Sequence, residues 1–245
     1  MQIVEETLRK FADDLRLILK GNLFEIIIHG SYVLGDFQAN QGDIDFLVLT
    51  HDNFDKETAA NLIGLHKGYR KSGQLLLHQL EGTYYPKTFM LNPEEALSGL
   101  YIGTTGMKPI NSRKNSYMDL RLINTKGLML LGNQAETFNP SEADLIEEQK
   151  KDSQGFRKTI QNSTSIDFGF WISMIHWCAR TYFFRAKGKI GSKTEACQWC
   201  ARQPALADFK QLFNLAESLR YPYQNRDILK TTKTKCMKLL DILDA

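Results

Sequence analysis

The stretch EIIIHGS at residues 25–31, followed by DIDFLVL at residues 43–49, decides the fold predicted for this chain. Each segment carries a run of apolar, mostly β-branched residues that is typical of a short buried strand. The connection between them, residues 32–42, contains two glycines and an Asn-Gln-Gly sequence that suits a turn. The sequence therefore predicts a strand, a Gly-Ser pair, a short connection and a second strand that opens with Asp-x-Asp.

The Asp-x-Asp pair, Asp43 and Asp45, lies on one face of the second predicted strand, because side chains alternate along a strand. Neighbouring carboxylates repel each other unless a cation lies between them, and Mg²⁺ is a usual one. Gly30 allows close approach to the backbone, and Ser31 offers a hydroxyl and N–H groups to phosphate. Such an acidic pair is common on surface strands, but its combination with Gly-Ser favours a metal and phosphate site.

This arrangement resembles the signature of the nucleotidyltransferase superfamily of the polymerase-β type, in which a hydrophobic strand, Gly-Ser and a spacer precede Asp-hydrophobic-Asp. The resemblance implies that Asp43 and Asp45 are catalytic and bind one or two Mg²⁺ ions, which in turn hold the triphosphate of ATP. It also implies that Gly30 and Ser31 contact the phosphates. The expected cofactors are therefore ATP and Mg²⁺.

A third carboxylate commonly comes from a neighbouring strand in this superfamily, and Glu81 is the candidate. It lies at the end of a third predicted strand, residues 75–81. The resemblance implies that Glu81 completes the metal site or acts as the general base for the attacking hydroxyl. Without that context, a glutamate at a strand end indicates a solvated residue.

The chain changes character near residues 140–155. The first part alternates helical and strand patterns, with a helix predicted at 55–71 and a long loop at 98–118, whereas only helical patterns follow residue 135. We predict an α/β (α+β) nucleotidyltransferase domain with a mixed sheet at 1–150, followed by an all-α helical bundle domain at 151–245.

The segment ARTYFFRAKGKIGSKTEA at residues 179–196, followed by Trp199, looks like the C-terminal domain of aminoglycoside adenylyltransferases. The closest resemblance is to the streptomycin/spectinomycin 3''-adenylyltransferase group. It implies Mg-dependent transfer of AMP from ATP to a hydroxyl of an aminoglycoside or aminocyclitol antibiotic, with release of pyrophosphate, and hence a role in antibiotic resistance. It further implies that Arg180 and Lys193 contact the triphosphate and that Tyr221 contacts ATP, although Tyr221 requires a one-residue shift and Tyr223 competes for this role.

The chain departs from this family at several positions. Gly42 replaces the serine that usually precedes Asp-x-Asp, which removes one hydroxyl contact. Residues 98–118 contain neither tryptophan nor an acid that could recognise a cationic drug, and Asp167 lies only near the expected position of one substrate-binding acid. The reaction type therefore follows from the sequence better than the acceptor does.

Composition limits the partners. The net charge of +3 and the lack of a basic stripe argue against nucleic acid, and no run of eighteen apolar residues predicts a membrane span. Four cysteines suit a reducing cytoplasm, and the Cys197–Cys200 pair fits helix packing rather than a zinc site. We expect a cytoplasmic monomer whose partners are ATP and a small, hydroxylated, cationic substrate.

Two other functions remain open at this point. The first is a nucleotidyltransferase that adenylylates a protein, like an antitoxin acting on its toxin, although the long helical extension argues against such a minimal enzyme. The second is a catalytically weakened, nucleotide-binding homologue, which the replacement at Gly42 leaves open and the three carboxylates oppose.

Overall fold

The computed structural model describes residues 2–39, 42–95, 98–103, 106–133, 138–162, 167–218 and 229–244. The chain divides into two compact units, Met1–Pro140 and Ser141–Ala245. The domain division expected at residue 150 stays a prediction, and that residue lies inside a helix. Among the described residues, none of the helices is long and apolar enough to cross a membrane.

The first unit combines helices with strands, and the second is helical throughout its described residues. The first contains α1 (Gln2–Leu19), β1 (Leu23–His29), α2 (Gly30–Val33), β2 (Ile44–Thr50), α3 (Lys56–Lys71), α4 (Leu75–His78), β3 (Leu80–Pro86), β4 (Gly99–Gly103), β5 (Gly106–Ile110), α5 (Tyr117–Lys126) and β6 (Leu128–Leu131). The second contains α6 (Glu142–Asn162), α7 (Phe168–Lys187), α8 (Lys193–Cys200), α9 (Lys210–Ser218) and α10 (Leu229–Asp244). Short 3-10 turns lie at Lys20–Asn22, Lys87–Met90 and Pro204–Phe209.

The described strands form one sheet in the order β5-β4-β3-β2-β1-β6. β2 and β3 run parallel, and every other neighbouring pair is antiparallel. The parallel pair requires a crossover, which α3 and α4 supply between the two strands. The predicted α/β fold with a mixed sheet, followed by a helical unit, is confirmed.

The two faces of the sheet bury different residues, because side chains alternate along each strand. One face packs Phe46 and Tyr84 against Phe11 of α1. The other packs Leu47 and Tyr85 in a cluster that includes Leu120 and Ile123 of α5. Because Asp45 and Glu81 lie two positions before Leu47 and Thr83, they belong to this second face, at the end of the sheet where its apolar cover stops.

The third strand differs from the prediction and changes the placement of Glu81. Residues 75–78 form the single turn α4, and the strand begins at Leu80 instead of ending at Glu81. A short apolar run does not distinguish a helical turn from a strand, and the buried Tyr84 and Tyr85 favour the later register. Because β2 and β3 are parallel, a strand that starts here brings Glu81 beside the start of β2.

The prediction of a long loop at 98–118 is wrong, since this segment begins with the β4–β5 hairpin. Its glycines suggested a loop, but they provide space for tyrosine rings within the sheet. A Cβ on Gly99 would lie 2.6 Å from the ring of Tyr85, and one on Gly103 would lie 2.2 Å from the hydroxyl of Tyr101. Glycine within a strand often marks such a close approach.

The helical unit matches the sequence prediction closely. Ser141 and Asp144 form a capping interaction, in which the Ser141 N–H donates to the carboxylate and the Asp144 N–H donates to the hydroxyl. The unit encloses its own apolar core, centred on α7 and including Met174, Cys178 and Phe213. Cys178, Cys197, Cys200 and Cys236 are buried thiols, as their packing in helices predicts.

A buried histidine makes the first unit sensitive to acid. His66 of α3 stacks on Phe46 at 5.5 Å between ring centroids and forms a 2.7 Å hydrogen bond with Tyr84. Burial, aided by the charge of Arg70, lowers the pKa of His66 to about 3. Between pH 6.5 and pH 3 the unfolded imidazole therefore binds a proton that the folded one does not, so stability falls as pH falls through this window.

We predict that lowering the pH from 7.5 to 5 reduces the free energy of unfolding, with His66 alone contributing about 2 kcal/mol. Urea unfolding at both pH values measures this difference. The His66→Phe variant, which can still stack on Phe46, should lose that part of the pH dependence, whereas His78→Asn, at an exposed histidine, should retain it. An unchanged pH dependence in His66→Phe would contradict the assignment.

Candidate active site

Three polar residues form a row across adjacent strands at one end of the sheet. In the strand register, Asp45 of β2 pairs with His29 of β1 on one side and with Glu81 of β3 on the other. Directly paired residues point to the same face of a sheet, with Cβ atoms roughly 5 Å apart. The two carboxylates of Asp45 and Glu81 are thus brought together, and both side chains are only half-buried.

Asp43 lies near this pair, immediately before β2 begins. The hydroxyl of Tyr101 in β4 donates to Glu81 Oε1 at 2.6 Å and also experiences the charges of Asp43 and Asp45. Burial, followed by the hydrogen bond to Glu81 and the charges of all three carboxylates, raises the pKa of Tyr101. One of the three acids predicted from the sequence therefore contacts this phenol hydroxyl, and the other two lie close enough to act on it electrostatically.

The donor chemistry fits Mg²⁺, which prefers carboxylate oxygens and usually takes one or two of them from the protein. Within the described residues, no three His, Cys, Asp or Glu side chains stand in an arrangement ready to hold a metal ion. The assignment of Asp43 and Asp45 as metal ligands and of Glu81 as the base stays a prediction, and so does the role of Glu81 as a ligand.

Gly30 makes room for the carboxylate of Asp45. A Cβ at this position would lie 1.8 Å from Asp45 Oδ2, which is far too short for two atoms that are not bonded to each other. Gly30 also has a φ of +66°, in the left-handed region that side chains disfavour. The close contact and the positive φ both require glycine at position 30. They give a structural reason for the Gly-Ser pair, in addition to the predicted close approach of phosphate to its backbone.

We predict that Gly30→Ala lowers both stability and Mg-ATP binding, whereas Gly35→Ala lowers only stability. Gly35 has an almost identical φ of +69° but nothing within 4 Å of its would-be Cβ, so it is a matched control for backbone strain. Each alanine should cost about 1 kcal/mol of strain. Calorimetric titration with Mg-ATP should show weaker binding only for Gly30→Ala, and equal affinities for the two variants would contradict this role.

Two further residues of the motif have defined surroundings. The Ser31 carbonyl accepts the N–H of Asp36 at 2.9 Å, which begins to turn the chain back after α2. A Cβ on Gly42 would make only ordinary contacts, the nearest at 3.7 Å to Phe37 and Gln38. The serine that usually precedes Asp-x-Asp in the family that this chain resembles would therefore fit at position 42 without disturbing the fold.

His29, the third member of the row, is buried, with 5% of its surface exposed. Burial lowers the pKa of His29, while the nearby charge of Asp119 opposes this effect. The imidazole is thus held neutral beside Asp45. His29 belongs to the EIIIHGS stretch at residues 25–31, but the sequence alone predicts no role for it.

The structure places Arg180, Lys193 and Asp167 in the helical unit. The Nε of Arg180 in α7 donates to the carbonyl of Gly191 at 3.2 Å, two residues before Lys193 begins α8. Asp167 caps the N-terminus of α7, where its carboxylate accepts the N–H of Phe170 at 2.9 Å. Tyr221 lies outside the described residues. The nucleotide contacts of Arg180, Lys193 and Tyr221 stay predictions.

Sequence reasoning missed Tyr101. No signal in the sequence marked it, because the surrounding segment was interpreted as a loop and an isolated tyrosine carries no spacing rule. The hairpin places Tyr101 opposite Thr83 in the register, diagonally across from Glu81. Only the correct pairing of β3 with β4 identifies it as part of the site.

Comparisons with known proteins agree with this geometry. The family model described as a nucleotidyltransferase domain matches residues 8–167. A search of curated proteins found no match. Among solved structures, the spectinomycin adenyltransferase AAD(9) from Enterococcus faecialis, crystallised with ATP and spectinomycin, is similar, with a TM-score of 0.70 and 16% sequence identity over 98% of this chain and 99% of that chain. At this identity the likeness concerns the fold, and it extends over both units.

Proposed function

This chain belongs to the nucleotidyltransferase domain family, and from that premise we propose that it transfers AMP from ATP to a hydroxyl group of a small molecule. The observation that carries the proposal is the pairing of Asp45 with Glu81 on adjacent parallel strands, beside Gly30. Carboxylates in such a row suit a reaction in which one group binds a metal–nucleotide complex and another removes a proton.

In the proposed reaction, Asp43 and Asp45, at the start of β2, would hold Mg²⁺. The ion, when bound, neutralises the triphosphate and makes the α-phosphorus more electrophilic. Glu81 accepts the proton of the acceptor hydroxyl, whose oxygen forms a bond to the α-phosphorus. The bond between the α-phosphorus and its bridging oxygen breaks, and pyrophosphate leaves. Positioning and charge stabilisation supply most of the rate enhancement in such chemistry.

Other residues of this chain would bind the nucleotide. We assign Gly30 and Ser31 to the phosphates because Gly30 has no side chain and lies directly against Asp45. Arg180 in α7 and Lys193 at the start of α8 are proposed to contact the triphosphate. A polyanionic nucleotide needs such cations, and arginine can bind two phosphate oxygens at once. Tyr221 is proposed to contact ATP.

The proposed acceptor is an aminoglycoside or aminocyclitol antibiotic. The fold shared with an adenyltransferase that was crystallised with spectinomycin supports this class. A small cytoplasmic substrate also suits a chain whose four cysteines are all buried thiols. Glu81, Asp43 and Asp45 supply negative charge, which a cationic hydroxylated drug requires near the reacting oxygen.

Mass spectrometry of the acceptor tests this proposal. The protein is incubated with Mg-ATP and, separately, with streptomycin, spectinomycin and other aminoglycosides. One of these drugs should gain a single AMP moiety, and only in the presence of the divalent ion. If no drug is modified but a protein in the same mixture gains AMP, the acceptor is a protein and the small-molecule proposal is wrong.

A further inference from the structure

We propose that Tyr101 is a positioning residue that holds the carboxylate of Glu81 in the orientation needed to accept a proton. This inference rests on the proposed function, because it assigns Tyr101 a role in the same reaction. The direct observation is the hydrogen bond of 2.6 Å from the Tyr101 hydroxyl to Glu81 Oε1. Such short bonds to a charged acceptor are among the stronger ones in proteins.

The hydrogen bond from Tyr101 limits the rotation of the Glu81 side chain. A glutamate has three rotatable bonds, and Glu81 is only half-buried, so its backbone position alone does not fix its carboxylate. Tyr101 has two rotatable bonds and a rigid ring, and it is anchored on β4 through pairing with Thr83. A rigid donor on the neighbouring strand therefore fixes the direction of a flexible base.

The charge around Tyr101 keeps it a hydrogen-bond donor. Its hydroxyl lies near Asp43 and Asp45 as well as Glu81, and burial with these negative charges raises its pKa. Ionisation would add a fourth negative charge to the cluster, which Coulomb repulsion opposes. The observed geometry, with the Tyr101 hydroxyl 2.6 Å from Glu81 Oε1, is that of a phenol donating to a carboxylate oxygen.

A glycine provides the space that the phenol occupies. A Cβ on Gly103 would lie 2.2 Å from the Tyr101 hydroxyl, so any larger residue there would displace the hydroxyl from its place. Gly106, the register partner of Gly103 across the hairpin, has nothing within 4 Å of its would-be Cβ. Position 103 is therefore restricted by Tyr101, whereas position 106 tolerates a side chain.

Steady-state kinetics of Tyr101→Phe test the proposal. We expect kcat for AMP transfer to fall about tenfold, with the KM for Mg-ATP changed less than about twofold, because the base is misoriented while nucleotide binding is intact. Gly103→Ala should lower kcat in the same direction. Tyr85→Phe and Gly106→Ala are the matched controls and should leave kcat unchanged. Among the described hydrogen bonds, the hydroxyl of Tyr85 contacts only the Ser112 carbonyl and the Lys114 N–H.

A double-mutant cycle separates positioning from general structural damage. In a Glu81→Gln background the carboxylate is gone, so adding Tyr101→Phe should lower the residual rate no further. An unchanged kcat in Tyr101→Phe, or the same loss in both backgrounds, would overturn the proposal.

Carbon-13 NMR of the glutamate side-chain carboxyl groups tests the contact without reference to activity. The Glu81 signal, identified by its absence in Glu81→Gln, should shift in Tyr101→Phe and Gly103→Ala but not in their two controls. A Glu81 signal that does not respond would overturn the contact itself. If the signal shifts but the wild-type protein transfers AMP to no acceptor, the contact stands, and the proposed function falls together with the catalytic meaning of Tyr101.

Discussion

Replacing Asp45 by Asn is expected to reduce AMP transfer by at least about 1,000-fold, because the metal-supported charge stabilisation amounts to several kcal/mol. Asp45 lies at the centre of the row, paired in register with both His29 and Glu81. Asparagine has nearly the same shape, so the change removes charge while leaving the space beside Gly30 filled. We expect Mg-ATP affinity, measured by calorimetric titration, to fall together with the rate.

The control for Asp45→Asn is Asp52→Asn. Asp52 is exposed and follows the opposite end of β2, so its replacement removes the same charge from the protein without touching the row. This variant should retain wild-type rate and affinity. Equal effects of the two substitutions would mean that Asp45 acts only through overall charge, and normal Mg-ATP binding by Asp45→Asn would remove it from the proposed metal site.

Replacing Glu81 by Gln should lower kcat by about 100- to 10,000-fold, the usual contribution of a general base. In contrast to Asp45→Asn, the affinity for Mg-ATP should change little, because Glu81 is assigned to the acceptor hydroxyl. The glutamine oxygen can still accept the hydroxyl of Tyr101, so the local structure should be preserved. Rapid-quench kinetics and calorimetric titration measure the two quantities separately.

The contrast between the two variants discriminates the proposed roles of the carboxylates. If Glu81→Gln binds Mg-ATP as weakly as Asp45→Asn does, Glu81 is a metal ligand, as the resemblance also allows. If Glu81→Gln retains kcat, another group accepts the proton, and the row of paired residues loses its catalytic interpretation. A change in thermal unfolding of either variant would reveal an effect on folding.

The sequence predicted the centre of the site better than its periphery. The motif around Gly30 and Asp45 can be recognised in the sequence because it combines a glycine with a pair of carboxylates. In the structure, Gly30 leaves the space that the charged carboxylate of Asp45 occupies. The motif also identified the right superfamily, which the family model confirms.

Strand register limited what could be predicted. The run at 75–81 satisfied a strand pattern, but the strand begins at Leu80, and only this register pairs Glu81 with Asp45. Register depends on contacts with neighbouring strands, which are distant in the sequence. The choice of Glu81 as a site residue rests on the family resemblance and stays a prediction, whereas its predicted position at the end of the strand is wrong.

The β4–β5 hairpin shows a second limit. Gly99 and Gly103 suggested a loop because glycine weakens strands, yet here each makes room for a tyrosine ring that a strand partner provides. Tyr101 became visible as a site residue only through this hairpin. Helices were easier to predict, since their period and caps are local, as Ser141 and Asp144 illustrate.

The most direct test of AMP transfer to a small molecule is pyrophosphate release from Mg-ATP. It is measured for the wild-type protein and for Asp45→Asn, against streptomycin, spectinomycin and a panel of other aminoglycosides. We expect release that depends on one of these acceptors and disappears in Asp45→Asn. Release that is equal in both proteins, or a wild-type protein that binds Mg-ATP but releases no pyrophosphate with any acceptor, would contradict it.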